Sequence, residues 1–205
     1  MSKVVILILP LILSGCFPAI FTAATGTTLA VAKDRTIGET VRDIKIANSL
    51  RAELIKKDFR EIYTKINIEV VDGRILLTGK VNTEEHVLKV IEIAWKQDGV
   101  KEVLNEIKVD EHSSHFNVVQ YTKDSLITTQ IKSKIFVDRS IKFVNYTIVT
   151  LDNVVYLFGI SRSNDELEKV AEIASKIRGV KKVVSHVEFK NSSESDHEGA
   201  SFKDY

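Results

Sequence analysis

Cys16 is the chain's one cysteine and, by side-chain type, its most reactive residue. An internal disulfide framework is thereby excluded, and so is a zinc site built on several thiolates. Three chemistries remain for the thiol: a free nucleophile, an intermolecular bridge, or a covalent modification. His112 and His115 stand two apart in the polar stretch from Glu111 to Asn117, too few and too loosely held for a metal site; a solvated linker accounts for them better. His86, His186 and His197 are scattered. Asp72 and Asp152 fall in turn dipeptides rather than in a carboxylate pair suited to acid–base work. The sequence shows no nucleophile beside a base, no glycine-rich phosphate loop and no metal constellation, so a non-enzymatic chain without metal or cofactor is expected. A net charge of +1 over 205 residues gives no general basic field for nucleic acid.

The surroundings of Cys16 narrow its chemistry. Met1-Ser2-Lys3 is a short basic start, Val4 to Leu13 is apolar, and the small residues Ser14 and Gly15 precede the cysteine. That is signal-peptide organisation. Leu13-Ser14-Gly15-Cys16 also resembles the bacterial lipobox, in which an aliphatic and two small residues precede an acylated cysteine. Cleavage after residue 15 is expected, leaving Cys16 as the lipid-bearing N-terminus. An uncleaved membrane helix is the alternative, because no charge occurs from Val4 to Ala32. Pro10, Gly15 and Pro18 interrupt that stretch, and four threonines between Thr22 and Thr28 dilute its second half. Several acyl chains on one cysteine anchor firmly, at about 0.8 kcal/mol per buried methylene. Phe17 stands where an aspartate would favour inner-membrane retention, so the outer membrane is expected.

Beyond Lys33 the chain repeats itself. Ile66 to Gly79 and Tyr146 to Gly159 each read as two apolar-rich strands joined at Asp72-Gly73 or Asp152-Asn153, dipeptides that tolerate the positive φ of a tight hairpin. A helix follows in each copy, with Val87, Val90, Ile91 and Ala94, or Leu167, Val170, Ala171 and Ala174, at helical spacing. Thr83 and Ser163 with the acidic residues behind them mark capped starts, and Gly99 and Gly179 mark the ends. A last strand then runs toward Val109 or Phe189. Upstream of each hairpin lies another helix, with Ile46, Ala47, Leu50 and Leu54 in copy one and Ile127, Ile131 and Ile135 in copy two. The expected architecture is α+β: two tandem helix–strand–strand–helix–strand units, each with two helices on a three-stranded mixed sheet. Units this small have modest cores, so packing of one copy on the other is expected to help.

Gly79 and Gly159 at the strand ends, with Gly99-Val100 and Val103 and Gly179-Val180 and Val183 after the second helices, resemble the BON domain family. Two such domains behind a lipobox resemble the dual-BON outer-membrane lipoproteins over almost the whole chain, including Asp34 to Gly38, Asp43, Ile127-Thr128-Thr129 and Ile173-Ala174-Ser175. The resemblance implies a protein on the periplasmic face of the outer membrane that helps keep that membrane intact and concentrates at the division site. It also implies binding of anionic phospholipid by the first helix of the second domain.

That helix has the side chains for the task. Plotted at about 100° per residue from Asp124 to Val137, it directs Ile127, Ile131 and Ile135 to the sheet. Leu126, Phe136 and Val137 fall on the other side with Thr129 and Ser133, an uncharged face suited to shallow insertion among headgroups. Lys132, Lys134 and Arg139 lie nearby to attract anionic lipid. The phospholipid surface is therefore assigned to Leu126, Thr129, Ser133, Phe136 and Val137, with Ile131 in the core at its border. The equivalent helix of copy one carries Lys45, Asn48 and Lys56 outward, so only the second helix is expected to have apolar side chains left over. Family members tend to carry Trp at the position of Leu126, and Trp is the better interfacial anchor. The competing readings are an adaptor that uses the same face for an envelope protein partner, and a plain periplasmic spacer. Trp95 is expected in the core or between domains, and Lys181-Lys182 at a solvated strand edge. The expected layout is a signal peptide over 1–15, a lipidated N-terminus and linker over 16–42, domains over 43–110 and 122–190 with a linker over 111–121, and a disordered tail over 191–205.

Overall fold

Six β-strands and four α-helices account for the described residues, which in this computed structural model are 36–56, 62, 64–110 and 117–190. The expected signal peptide, Cys16, the linker histidines and the C-terminal tail lie outside them. In chain order the first unit comprises α1 (Ile37–Lys56), β1 (Ile66–Val71), β2 (Arg74–Val81), α2 (Glu84–Trp95) and β3 (Glu102–Val109). The second comprises α3 (Val118–Val137), a 3₁₀ turn (Phe143–Asn145), β4 (Tyr146–Leu151), β5 (Val154–Ser161), α4 (Asn164–Ser175) and β6 (Lys182–Phe189). The two units have the element order read from the repeat.

Local chemistry starts each helix. Thr36 and Glu39 form a reciprocal capping box on α1: Glu39 N–H donates to Thr36 Oγ1 at 3.2 Å, and Thr36 N–H donates to Glu39 Oε2 at 2.7 Å. Thr83, Asn117 and Ser163 cap α2, α3 and α4 by accepting from His86, Gln120 and Glu166 N–H. α2 and α4 stop at Trp95 and Ser175, several residues before the glycines. Gly99 and Gly179 serve instead the turns into β3 and β6, at φ +86° and +99°.

In each sheet the middle strand pairs antiparallel with its hairpin partner and parallel with the last strand, giving the mixed orders β1-β2-β3 and β4-β5-β6. The first helix of each unit also holds the hairpin shut. Asp43 Oδ2 and Oδ1 accept from Asp72 and Gly73 N–H at 2.8 Å each. Asp124 repeats the arrangement on Asp152 and Asn153, at 2.9 and 2.8 Å. At the far end of β5, Gly159 lies so close to Asn145 that a Cβ would meet its carbonyl oxygen at 2.0 Å; Gly79 faces Lys65 in the same way at 2.2 Å. The glycines that carried the family resemblance are thus sites of close backbone approach.

The middle strands explain the stacking of the units. Ile75 and Leu77 face the helices of the first unit, and Val155 and Leu157 face those of the second. The alternate residues Leu76, Tyr156 and Phe158 meet in a third cluster between the two sheets, joined by Val71, Leu104 and Val184. β2 and β5 are apolar without alternation because both of their faces are covered. The result is four layers: helices, sheet, sheet, helices. Arg74, 7% exposed, is set into this contact: its Nε lies 2.6 Å from Glu102 and 3.1 Å from Glu188, and its Nη1 donates to His186 O at 3.0 Å. His186 Nε2 meets Glu106 Oε1 at 2.8 Å, and Lys80 reaches Asp152 at 2.8 Å. The interunit packing expected from the sequence is present, with sheet faces as its surface.

Candidate lipid-binding surface

α3 is positioned by what it buries. Ile127, Ile131 and Ile135 are 3%, 0% and 0% exposed and lie in the core of the second unit. Each such isoleucine contributes about 2 kcal/mol on leaving water. Asp124, on the same stripe, grips the hairpin, so the helix is fixed in rotation by apolar burial and by two charge-assisted hydrogen bonds.

The opposite side is exposed, as the helical plot requires. Leu126 is 57%, Phe136 69% and Val137 74% exposed, with Thr129 and Ser133 exposed between them. Ile131 does not share that surface: it is fully buried, because its angular position lies between those of Ile127 and Ile135. The face is also longer than the sequence suggested. Residues Val118 to Tyr121, read as linker, form the first helical turn, and Val118 and Val119 are 62% and 64% exposed on the same side. The signal was available: Val118, Thr122, Leu126, Thr129, Ser133 and Phe136 recur at spacings of three and four.

The C-terminal end of the face is held in shape. The Phe136 ring meets Phe143 edge-on, with centroids 5.5 Å apart and planes at 87°. The next carboxylate along the chain, Asp138, is tied to Lys169 at 2.7 Å. That lysine's hydrogen bond, with those of Ser140, holds the carboxyl down to about 2. Lys123, Lys132, Lys134 and Arg139 are exposed around the same helix. Among the described residues no helix is long and apolar enough to cross a membrane, and no three metal-ligating side chains converge.

Two expectations about the first unit need correction. α1 also has apolar side chains to spare: Ile37, Val41, Ile44 and Ile55 are 52%, 60%, 55% and 48% exposed. They share one stripe, well away from the buried one of Ile46, Leu50 and Leu54, and lie beside Lys45, Asn48, Ala52 and Lys56 on the outward side. Trp95 is neither core nor interunit packing. It is 52% exposed at the end of α2, with Leu88 at 66% two turns earlier. Lys182 begins β6 as an exposed residue, and Lys181 beside it donates its backbone N–H to Asn153 O at 2.8 Å.

Fold and surface together define a tandem α+β module whose outer helices carry exposed apolar stripes. The BON domain pattern matches residues 42–111 and 123–191, and the chain belongs to the BON domain family. The chain is 32% identical over 177 residues to the outer membrane lipoprotein DolP of Haemophilus influenzae, covering 84% of this chain and 87% of that one. It is 43% identical over 131 residues to an uncharacterized protein in the gshII 5' region of Anaplasma centrale, covering 64% and 85%. It is 30% identical over 155 residues to the 21 kDa hemolysin of Actinobacillus pleuropneumoniae, covering 76% and 78%.

Proposed function

We propose that this chain is a non-enzymatic envelope lipoprotein, anchored through acylated Cys16 on the periplasmic face of the outer membrane, that binds anionic phospholipid with the outward face of α3. The observation that carries the reading is the uncharged, exposed run of Leu126, Thr129, Ser133, Phe136 and Val137 on a helix edged by lysines. Apolar side chains of this size suit the boundary between headgroups and acyl chains, and the lysines suit the negative surface. The DolP relative, an outer membrane lipoprotein by name, supports the location. Acyl anchor and helix act together: the anchor keeps α3 at high effective concentration beside the bilayer, so a weak surface contact suffices. Through this contact the protein supports outer-membrane integrity, including at the division site.

The test is flotation of residues 33–205, which contain every helix and strand described above, with anionic or neutral vesicles. The native segment is expected to float with anionic vesicles only. Leu126→Glu with Phe136→Glu removes the α3 contact while leaving the core residues untouched. A native segment that fails to float with any vesicle would sink the lipid reading and make the face a docking site for an envelope protein.

A further inference from the structure

Alone among the four described helices, α3 presents no acid outward. Its one acid, Asp124, is turned into the hairpin, whereas α1, α2 and α4 carry Glu39, Glu84 and Asp165 at the surface. Lysines on or just after α2 and α4 have carboxylate partners: Lys89 pairs with Glu85, Lys96 with Glu92 and Lys176 with Glu172. Among the described residues Lys123, Lys132, Lys134 and Arg139 have none. At about 100° per residue, Lys123 and Lys134 fall on one flank of the exposed apolar run and Lys132 on the other. Unpaired cations on both sides of Leu126, Phe136 and Val137 fit an occupant that is acidic and partly apolar.

The chain carries such a segment close by. Residues 191–205 hold four acids, Glu194, Asp196, Glu198 and Asp204, against one base, Lys203, together with Phe202 and Tyr205. They continue from the end of β6, which lies at the same end of the unit as the C-terminus of α3. Phe189 is in register with Ser161, and Lys190 N–H donates to Ser161 O at 2.9 Å. The Tyr146 hydroxyl, at the start of β4, donates to Ser161 Oγ at 2.7 Å. Arg162, the next residue, donates through Nη2 to Ser140 O at 2.9 Å, just past the end of α3. Fifteen residues in extended form span about 50 Å, while a helix of twenty residues is about 30 Å long. The segment is therefore long enough to follow α3 from Arg139 back to Lys123.

We propose that residues 191–205 lie along the outward face of α3, with their acids on Lys123, Lys132, Lys134 and Arg139 and their rings against Leu126, Phe136 and Val137. The contact rests on charge and reach. Its consequence rests on the lipid reading of α3, because the segment and an anionic bilayer then compete for one surface. Exposed ion pairs contribute little each, so a bilayer dense in phosphates displaces the segment and a sparse one does not. The segment thereby sets how anionic a bilayer must be before α3 settles on it.

Residues 33–205 contain no cysteine, so a nitroxide on Ser195→Cys reports where the segment lies, through broadening of amide signals in the absence of lipid. The comparison is with Glu194→Gln/Asp196→Asn/Glu198→Gln/Asp204→Asn and with Lys132→Gln/Lys134→Gln, all at positions outside the core; circular dichroism checks the fold. Broadening is expected from Leu126 to Val137, and each set of changes should weaken it. Without the label, the variant lacking the four acids should reach half-maximal flotation with vesicles of phosphatidylglycerol and phosphatidylcholine at about fivefold less lipid than the native segment. The contact is overturned if the native broadening at α3 is no greater than that of the variant lacking the acids, or if it falls on α1 and α2 instead. Broadening that disappears on dilution is contact with a second copy and overturns it too. Broadening at α3 with equal flotation of the two segments overturns the competition. Failure of both segments to float, with α3 still broadened, removes the lipid reading and leaves the contact standing.

Discussion

The Arg74 guanidinium of the first unit lies over the Phe158 ring of the second, its central carbon 5.5 Å from the ring centroid. It joins a cation–π contact to ion pairs with Glu102 and Glu188 in the packed interface between the sheets. Arg74→Ala is expected to destabilise the protein by about 2 kcal/mol, since a buried pair loses a partner while both carboxylates keep access to water. Urea unfolding measures this, and Arg74→Met, which retains the packing over Phe158, should lose less.

The hairpin clamp gives a second expectation. Asp124→Ala strips two N–H groups, those of Asp152 and Asn153, of their acceptor, at a cost of about 1–3 kcal/mol. Asp124→Asn keeps one acceptor oxygen and should fall between. Amide hydrogen exchange at Asp152 and Asn153 should rise in both variants, and more in the alanine one.

Gly159→Ala should be more damaging than an ordinary surface change. Its φ is +136°, and the new Cβ would sit 2.0 Å from a backbone oxygen of Asn145. Separation of β4 from β5 at that end is the only relief, and a loss of about 3 kcal/mol or more follows. Thermal unfolding by circular dichroism reports it, and a melting temperature unchanged within a degree or so would contradict the close approach.

Two tyrosines should titrate late. Burial, only partly offset for Tyr146 by its hydrogen bond to Ser161, pushes the phenols of Tyr146 and Tyr156 up to about 12. For Tyr156 the neighbouring Glu106 adds to the effect. A folded-state value above the unfolded one favours the protonated form, so this contribution to stability is present below pH 10 and fades as pH rises toward 12. Ultraviolet titration of phenolate should show two of the five tyrosines ionising in that last range.

Cys16→Ser removes the acceptor of the proposed acyl chains. Expressed in a Gram-negative host, the native chain is expected in the membrane fraction with an acyl-mass increment on Cys16, and the variant without that increment. A native chain whose mature N-terminus is not Cys16 would refute the anchor.

Much of the fold was legible because each unit states its own elements twice. The caps at Thr83 and Ser163, the turns at Asp72 and Asp152 and the buried stripe of Ile127, Ile131 and Ile135 are local rules written in local residues. The exposed face of α3 was legible for the same reason. The rest depends on contacts between residues far apart in the chain, or on apolar positions set among polar neighbours. The clamp from Asp43 to Gly73 spans thirty residues, and the pairing of Glu106 with His186 spans eighty. No periodicity joins residues so far apart. The start of α3 at Val118 was hidden by the polar run before it. The apolar stripe of α1 was hidden by its own lysines, since a helix with two apolar sides has a weak single-faced signature.

The doubly covered middle strands also set the smallest unit that stays dispersed in water. Cleavage anywhere between Asp110 and Asn117 would leave two fragments, one baring Leu76 and Leu104, the other Tyr156, Phe158 and Val184, each on a sheet face with nothing over it. Such faces attract any similar face, so half of this protein is a seed for clumping rather than a smaller working version of the whole. The repeat of the unit thus gives each copy's second sheet face its cover.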